Sequence, residues 1–292
     1  MIRYSIKDLE KITGIKAHTI RIWEKRYGIV QPLRTQTNIR YYSDEDLRHL
    51  MNVAILNKYG YKISNIQGMT PEEISKSVVD LTHQNLDNDH LVDNLVMAMI
   101  ELDEQRFDKI ISSSIIKQGF EYTFENLLAR FLEKIGILWQ IGSVNPTQEH
   151  FITQLIRQKL ILAIDGQQEL KKGYKTFALF LPENEYHEVA LLYIYFMIRK
   201  KAHMVIYLGQ NVPLVNLKNV CEVHKVDYLL TSITANLPDE TISEMIHELK
   251  YLYGEKKILI GGNILLKSSV SLPDNFTFFK TLQNFTDFLE LI

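Results

Sequence analysis

Apolar residues recur every three or four positions over roughly the first 170 residues of the chain and form short continuous runs in the remainder. The first arrangement is typical of helices with one buried face, and the second is typical of buried strands. Polar residues that can cap a helix, together with glycine and proline, give the boundaries. We therefore expect a helical N-terminal part followed by a part in which strands and helices alternate.

Two stretches near the start of the chain have the spacing of a helix N-terminus. Ser5 is followed three residues later by Asp8, and Ser43 is followed three residues later by Asp46. In such a capping box the two side chains satisfy backbone N–H groups that the first helical turn leaves without partners. The first box predicts a short helix that ends near Gly14, and the second predicts a longer helix.

A second helix and a small hairpin are expected between these two capping boxes. The helical spacing continues from about Ala17 to Tyr27, and Gly28 is placed to end that helix in a left-handed conformation. Residues 32–38 have loop composition, and residues 40–42 are a short strand candidate. Two helices joined by a tight turn and followed by a strand predict a winged helix-turn-helix.

The middle of the chain contains only helical patterns. Thr70-Pro71 starts a helix with proline at its first position, and Asn145-Pro146 starts another in the same way. No strand pattern occurs between Thr70 and about Gln168. One apolar stripe at helical spacing consists of Leu127, Leu128, Phe131, Ile135 and Leu138. This region is predicted to be a four-helix bundle.

After residues 171–173 the pattern alternates between strands and helices. The helical stretches lie near residues 187–200, 214–224 and 239–252. Such alternation predicts a Rossmann-like, doubly wound parallel sheet with its ligand at the carboxyl edge of the strands. The predicted strands are 176–181, 204–208, 228–232 and 257–260. The expected domains are 1–70 for the winged helix-turn-helix, 71–170 for the bundle and 171–292 for the α/β domain.

Composition narrows the class of protein. Of the 292 residues 46% are hydrophobic and 23% are charged, which is the usual mix of a globular protein. The single cysteine, Cys221, excludes a disulfide framework within one chain and favours a reducing compartment. No apolar run is long enough to span a bilayer, and the first residues do not resemble a signal peptide. We expect a cytoplasmic protein without a membrane partner.

The charges are distributed unevenly. Residues 1–48 contain ten Lys or Arg and six Asp or Glu, whereas the remainder contains 23 and 29. We call the basic N-terminal part the head and the acidic remainder the body. The excess of positive charge indicates that the head binds an anionic partner. The second helix of a helix-turn-helix enters the major groove of double-stranded DNA, and a wing grips the backbone or minor groove. The candidate DNA contacts are His18, Thr19, Arg21 and Arg26 on that helix, and Arg34, Arg40 and Tyr41 in the wing.

Ile20, Trp23 and Tyr27 lie at helical spacing and are expected to pack between helices rather than to contact bases. Residue types and spacings along the head form one extended motif, which consists of Tyr4-Ser5-Ile6, Leu9, Thr13-Gly14-Ile15, Thr19-Ile20-Arg21, Trp23-Glu24, Arg26-Tyr27-Gly28, Pro32, Arg34-Thr35, Asn38, Arg40-Tyr41-Tyr42 and Asp46-Leu47. With this motif the head resembles the MerR family over about residues 2–68. The resemblance implies that a homodimer or higher homo-oligomer binds a roughly palindromic operator and distorts it.

The body carries a second set of motifs. In the bundle these are Trp139 and, after nine intervening residues, Glu149-His150. In the α/β part each motif is predicted to end or follow a strand, and the motifs are Glu185-Tyr186-His187 through Ala190, Tyr207-Leu208-Gly209, Ser232-Ile233-Thr234 and Gly261-Gly262. With these motifs, residues 90–292 resemble the cobalamin-binding body of the MerR-like regulators of carotenoid synthesis, and the cobalamin modules of methyltransferases and mutases.

The resemblance implies a role for each motif toward adenosyl- or methylcobalamin. Cobalt accepts an imidazole nitrogen, so His187 would be its lower axial ligand and Glu185 would orient the ring. Small residues at strand ends, namely Ser232, Gly261 and Gly262, would leave a slot for the nucleotide tail. Gly209 and Thr234 would also line the cobalamin site. Trp139, Glu149 and His150 would cover the upper face.

Two positions depart from the family pattern. The pattern Asp/Glu-x-His-x-x-Gly ends here in Ala190, which adds a methyl group where the corrin approaches. Light-sensing relatives have a histidine directly after the lid tryptophan, and this chain has Gln140. Three classes therefore remain: a cobalamin-responsive transcription regulator, a regulator whose body only oligomerises or binds a protein partner, and a cobalamin enzyme. The DNA-binding head argues against the enzyme.

Overall fold

The computed structural model describes residues 4–35, 38–84, 88–140, 144–167, 170–235, 237–266 and 269–292. It divides into two compact units, Met1–Leu155 and Ile156–Ile292. The three-domain division of the sequence remains a prediction. No helix in the described ranges is both long and apolar enough to cross a membrane.

The first unit is helical apart from one small hairpin. Its elements are α1 (Ile6–Thr13), α2 (Ala17–Tyr27), β1 (Leu33–Arg34), β2 (Arg40–Tyr41), α3 (Asp44–Lys58), α4 (Ile63–Ile66), α5 (Pro71–Gln84), α6 (Asn88–Glu101), α7 (Glu104–Gln118), α8 (Phe120–Thr123), a π-helical turn (Phe124–Leu128), α9 (Ala129–Gln140) and α10 (Pro146–Asp165), which ends in the second unit.

Both predicted capping boxes of the head are confirmed. The Ser5 and Ser43 side chains accept from the backbone N–H of Asp8 and Asp46, and both aspartates accept in return from the serine backbone. Each cap of this kind stabilises a helix by about 1 kcal/mol. Gly14 ends α1 in the left-handed region at φ 73°, which favours glycine.

The hairpin after α2 is tied back to that helix. Strands β1 and β2 pair antiparallel. Glu24 of α2 accepts from Arg40 Nε at 3.2 Å and from the Tyr42 hydroxyl at 3.4 Å. Burial and the Glu24 carboxylate raise the pKa of Tyr42 to about 12, so its hydroxyl stays a donor. The wing therefore has a defined position relative to the second helix of the helix-turn-helix.

The middle of the first unit is built from helices as predicted. Helix α6 contacts α7, α9 and the π-helical turn. The apolar stripe expected from the sequence forms part of the core, since all five of its members are buried. These five are Leu127, Leu128, Phe131, Ile135 and Leu138.

The second unit is a doubly wound sheet of five parallel strands. The strand order is β4-β3-β5-β6-β7, in which β3 pairs with both β4 and β5. Apolar side chains from one face of the sheet pack with α12 and α13. The elements are β3 (Thr176–Pro182), α11 (Glu188–Lys200), β4 (Met204–Val212), α12 (Leu217–Val223), β5 (Tyr228–Ser232), α13 (Asp239–Tyr253), β6 (Lys257–Gly261), β7 (Phe276–Phe278) and α14 (Leu282–Glu290).

All four predicted strands are confirmed, with one correction at β4. The sequence predicted that Tyr207-Leu208-Gly209 ends a strand, but β4 continues to Val212. The register against β3 shifts between the pairs Leu179–Tyr207 and Phe180–Gly209, so Leu208 is an additional residue. Such a β-bulge kinks a strand without ending it. Gly209 lies in this irregularity at φ 79°.

Candidate functional site

The predicted ligand residues of the second unit collect at one edge of the sheet. The chain leaves β3 toward β4 on one side, whereas β5 lies on the other side of β3. At such a switch point the loops after the two central strands diverge and leave a crevice, where open α/β sheets bind their ligands. The loop after β3 carries Glu185 and His187, and the loop after β5 carries Thr234.

Glu185 joins these two loops. Its side chain is only 1% exposed. Oε1 accepts from the His187 backbone N–H at 2.9 Å and lies 2.6 Å from His187 Nδ1. Oε2 accepts from the backbone N–H groups of Thr234 at 2.7 Å and Ala235 at 2.8 Å. One carboxylate therefore holds the histidine and the loop after β5 together.

The carboxyl group of Glu185 is ionised. Burial by itself raises its pKa, but this effect is outweighed by hydrogen bonds from the His187 ring and from the backbone N–H groups of Ala235, His187 and Thr234. Together they lower the pKa of Glu185 to about 2. An ionised carboxylate only accepts hydrogen bonds, so His187 Nδ1 must carry the proton between them. In the neutral ring the lone pair is then on Nε2.

His187 is held in place and accessible. It is the residue immediately before α11, and its side chain makes no hydrogen bond that caps this helix. The side chain is 59% exposed although its carboxylate partner is buried. A neutral imidazole with one nitrogen fixed by a carboxylate is the usual form of a histidine that ligates a metal. The sequence predicted this pair, and its geometry matches the prediction.

A second buried carboxylate next to His187 was not predicted. Glu188 is 6% exposed. It accepts from the Tyr207 hydroxyl at 2.7 Å and from Gln210 Nε2 at 2.8 Å. Its Oε2 also lies 2.9 Å from Arg157 Nε. Burial and the bond to Glu188 raise the pKa of Tyr207, which keeps the hydroxyl protonated. In the sequence, Glu188 was visible only as an acidic residue at the start of a predicted helix.

The small residues of the predicted site have different surroundings. At Gly261 a Cβ would have Ser232 Oγ as its nearest neighbour, at 3.9 Å, so glycine keeps this strand end open. At Gly262 a Cβ would lie 1.9 Å from the carbonyl oxygen of Ile233. Gly262 is therefore required by the packing of the two strand ends, whatever else it does. Ala190 is exposed on the first turn of α11, so its methyl group is not part of the core.

The predicted lid residues belong to the first unit. Trp139 on α9 is 48% exposed, which is high for a tryptophan on a helix with a buried apolar stripe. Glu149 accepts from the Thr153 hydroxyl at 3.1 Å, and His150 Nδ1 lies 3.4 Å from the same carboxylate. The side chain of Gln140 lies outside the described part of the structure. The role of these residues as a lid remains a prediction.

The predicted DNA contacts of the head differ in accessibility. Ile20 and Trp23 are buried, which confirms that they pack inside the head. Arg34 donates to Asn38 Oδ1 at 2.7 Å within the wing. Arg40 is bound to Glu24, so part of its role is to fix the wing. Exposed side chains are those of His18, Arg21, Arg26 and Arg34, and half-buried ones are those of Thr19, Arg40 and Tyr41.

Two family profiles match separate parts of the chain. The profile of the MerR HTH family of regulatory proteins matches residues 4–73, which comprise α1 to α4 and the wing. The profile of a B12 binding domain matches residues 91–163, which comprise most of the helical region after the head. The first match confirms the resemblance of the head, and the second confirms the resemblance of the body.

Two known repressors are similar over most of the chain. The HTH-type transcriptional repressor CarH of Myxococcus xanthus is 25% identical over 253 residues, which are 85% of this chain and 84% of CarH. The repressor CarA of the same organism is 24% identical over 84% of this chain and 82% of CarA.

A solved structure shows the fold of the body. The monomethylamine corrinoid protein of Methanosarcina barkeri covers 70% of this chain with a TM-score of 0.56 and 14% identity, and its whole chain is matched. At this identity the likeness concerns the fold alone. The chain therefore joins a MerR-type helix-turn-helix DNA-binding domain to a B12-binding domain, and it is a transcription regulator homologous to CarH and CarA.

Proposed function

We propose that the chain is a cytoplasmic transcription regulator that binds operator DNA through its head and cobalamin through His187 in its body. The observation that carries the proposal is the His187–Glu185 pair at the switch point of the sheet, with 2.6 Å between Nδ1 and Oε1. Bound cobalamin would supply a cobalt that accepts the Nε2 lone pair. It is proposed as the signal that alters the binding of DNA.

The residues present fit the cofactor in two respects. The four N–H donors around Glu185 keep it ionised. Its Oε1 occupies His187 Nδ1, so Nε2 is the nitrogen that would face the cobalt. Glycine at position 261 leaves space beside Ser232 where a side chain would intrude, as the slot for a nucleotide tail requires. Ala190 is exposed, so its methyl group would lie beside the corrin without disturbing the core.

The finer assignments follow the resemblance to the regulators of carotenoid synthesis. We propose adenosyl- or methylcobalamin as the form that is bound. Gly209, Thr234 and Gly262 would line the same crevice, and Trp139, Glu149 and His150 would cover the upper face of the corrin. A homodimer or larger assembly would place two heads on a two-fold operator, because half-sites lie about one helical turn apart. No reaction is proposed.

Retention of added cobalamin by the purified protein tests the proposal. The ligand-free chain is mixed with adenosylcobalamin or methylcobalamin, desalted, and examined by visible absorption. We expect about one cobalamin per chain to be retained, with a spectrum of cobalt bound by imidazole. The affinity for DNA sequences selected from a random duplex library should then differ between the loaded and ligand-free forms. A colourless protein with unchanged DNA affinity would instead favour a body that only oligomerises or binds a protein partner.

Replacing Arg21 tests the docking of the head. Arg21 is exposed on α2, and a side chain that contacts a base edge contributes about 1–3 kcal/mol to discrimination. We expect Arg21→Ala to weaken binding to the selected duplexes about 5- to 150-fold in gel-shift titrations. Lys218→Ala, which removes an exposed cation from the second unit, is the matched control. Unchanged affinity and unchanged salt dependence in Arg21→Ala would show that α2 does not face the DNA.

A further inference from the structure

Glu188 is an unusual residue for the first turn of a helix. Acidic residues are favoured there by the helix dipole, but they are normally exposed. The Glu188 carboxylate is buried, and burial of a charge is costly unless partners compensate for it. The partners are the Tyr207 hydroxyl, Gln210 Nε2 and the Arg157 guanidinium. Three groups from two other elements therefore converge on one side chain.

These partners connect Glu188 to the irregular part of β4. Tyr207 and Gln210 lie on either side of the additional residue and of Gly209, whose Cβ position would be 3.8 Å from Glu188 Oε1. Arg157 comes from the part of α10 that belongs to the second unit. The start of α11, the bulge of β4 and the end of α10 are thus held by one carboxylate. The neighbouring carboxylate, Glu185, has different partners, namely His187 directly before α11 and the backbone N–H groups of Thr234 and Ala235.

We propose that Glu188 is a positioning residue for the cobalt ligand, an inference that rests on the function proposed above. Glu185 holds the His187 ring, the His187 backbone N–H and the loop after β5, whereas Glu188 ties the first turn of α11 to β4 and α10. Glu188 follows His187 directly and shares a peptide bond with it. By anchoring the first turn of α11 against β4 and α10, Glu188 fixes the backbone from which the imidazole reaches the cobalt.

Glu188→Gln is the main variant for this inference. Glutamine keeps the volume and one acceptor oxygen, but it removes the charge that holds Arg157, whose side chain is 30% exposed and can be hydrated. Glu222→Gln is the matched control, because Glu222 forms an exposed ion pair with Lys218 elsewhere in the same unit. Tyr207→Phe removes a single hydroxyl donor and serves as a milder second variant if Glu188→Gln does not fold.

Two measurements separate positioning from general stability. In the ligand-free protein, hydrogen exchange of the peptide covering residues 186–192 reports on the order of the first turn of α11. In the loaded protein, the visible spectrum gives the fraction of cobalt bound by imidazole, and dilution into free hydroxocobalamin gives the rate of release. We expect Glu188→Gln to lose protection in this peptide, to lower the imidazole-bound fraction, and to release cobalamin about tenfold faster or more.

The outcomes distinguish this inference from the proposed function. Glu222→Gln should match the wild type in both measurements, and Tyr207→Phe should lie between the wild type and Glu188→Gln. If Glu188→Gln shows the wild-type exchange and the wild-type imidazole-bound fraction, the positioning role is refuted while cobalamin binding stands. Wild-type protein that retains no cobalamin refutes the proposed function. Hydrogen exchange then still decides whether Glu188 orders the start of α11.

Discussion

Replacing His187 with alanine is expected to abolish the absorption spectrum of imidazole-bound cobalt. Cobalt would lose the histidine that the proposed site supplies as its lower ligand, so the spectrum should change to that of cobalamin without a lower histidine. The fold should survive, because the side chain is 59% exposed and caps no helix. Glu185 would keep its three backbone N–H donors.

The measurement is the visible spectrum of loaded and desalted protein, with and without added imidazole. Free imidazole should partly restore the spectrum in His187→Ala, because the space left by the ring admits a molecule of the same shape. The control is His224→Ala, which removes an exposed histidine of the same unit and should leave the spectrum unchanged. Retained cobalamin with an unchanged spectrum in His187→Ala would refute the ligand assignment.

Acidification from pH 6.5 to pH 4 is expected to cost the second unit about 3 kcal/mol of stability through His203. His203 is fully buried, and its Nδ1 accepts from the Lys175 backbone N–H at 2.9 Å. Burial, followed by the charges of Lys171 and Lys175, lowers its pKa to about 4, and Asp227 opposes this only weakly. The native ring therefore stays mostly neutral until the pH approaches 4.

The direction of the effect follows from proton uptake by the unfolded chain. Well above pH 6.5 the ring is neutral in both states, so its contribution to stability is constant. Between pH 6.5 and pH 4 the unfolded chain binds a proton that the native state excludes, and the free energy of unfolding falls. Below about pH 4 the ring is protonated in both states. His203 then no longer makes the free energy of unfolding depend on pH.

Hydrogen exchange of β3 at several pH values, corrected for the intrinsic exchange rate, measures this loss. Strand β3 lies next to His203 in the sheet core, so its protection reports on the opening of the second unit. His203→Asn should be less stable at pH 7.5, since the ring volume is lost, but it should show a flatter dependence on pH. His224→Ala should keep the wild-type slope. If His203→Asn shows the same slope as the wild type, other groups cause the acid sensitivity.

The head was predictable because its signals are local. The serine and aspartate of each capping box lie three residues apart, and Gly14 and Gly28 end their helices within the same turn. Interactions over so short a distance in sequence form wherever the backbone is helical. The tether from Glu24 to Arg40 and Tyr42 spans 16 and 18 residues, and no periodicity indicates it. The sequence therefore predicted the wing without showing how it is held.

The sheet was predictable except at its edge. Strands β3, β5 and β6 are mostly apolar and buried, as the central strands of a parallel sheet require, whereas the edge strand β4 is mostly half-buried. Strand β7 has only three residues, with Thr277 exposed between two phenylalanines. So short a segment becomes a strand only because β6 offers it free backbone groups. The continuation of β4 past Gly209 similarly depends on a bulge against β3.

The sequence by itself determined the helices of the head and of the helical region, the alternation of strands and helices, and the pairing of Glu185 with His187, because the signal for each lies within a few residues. Only the tertiary structure decided which groups complete the site. Thr234 and Ala235 donate to Glu185 across about 50 residues of chain, and Tyr207 donates to Glu188 across 19. Such contacts arise when distant loops meet at the switch point of the sheet, and hydrophobic periodicity carries no information about polar partners so far apart.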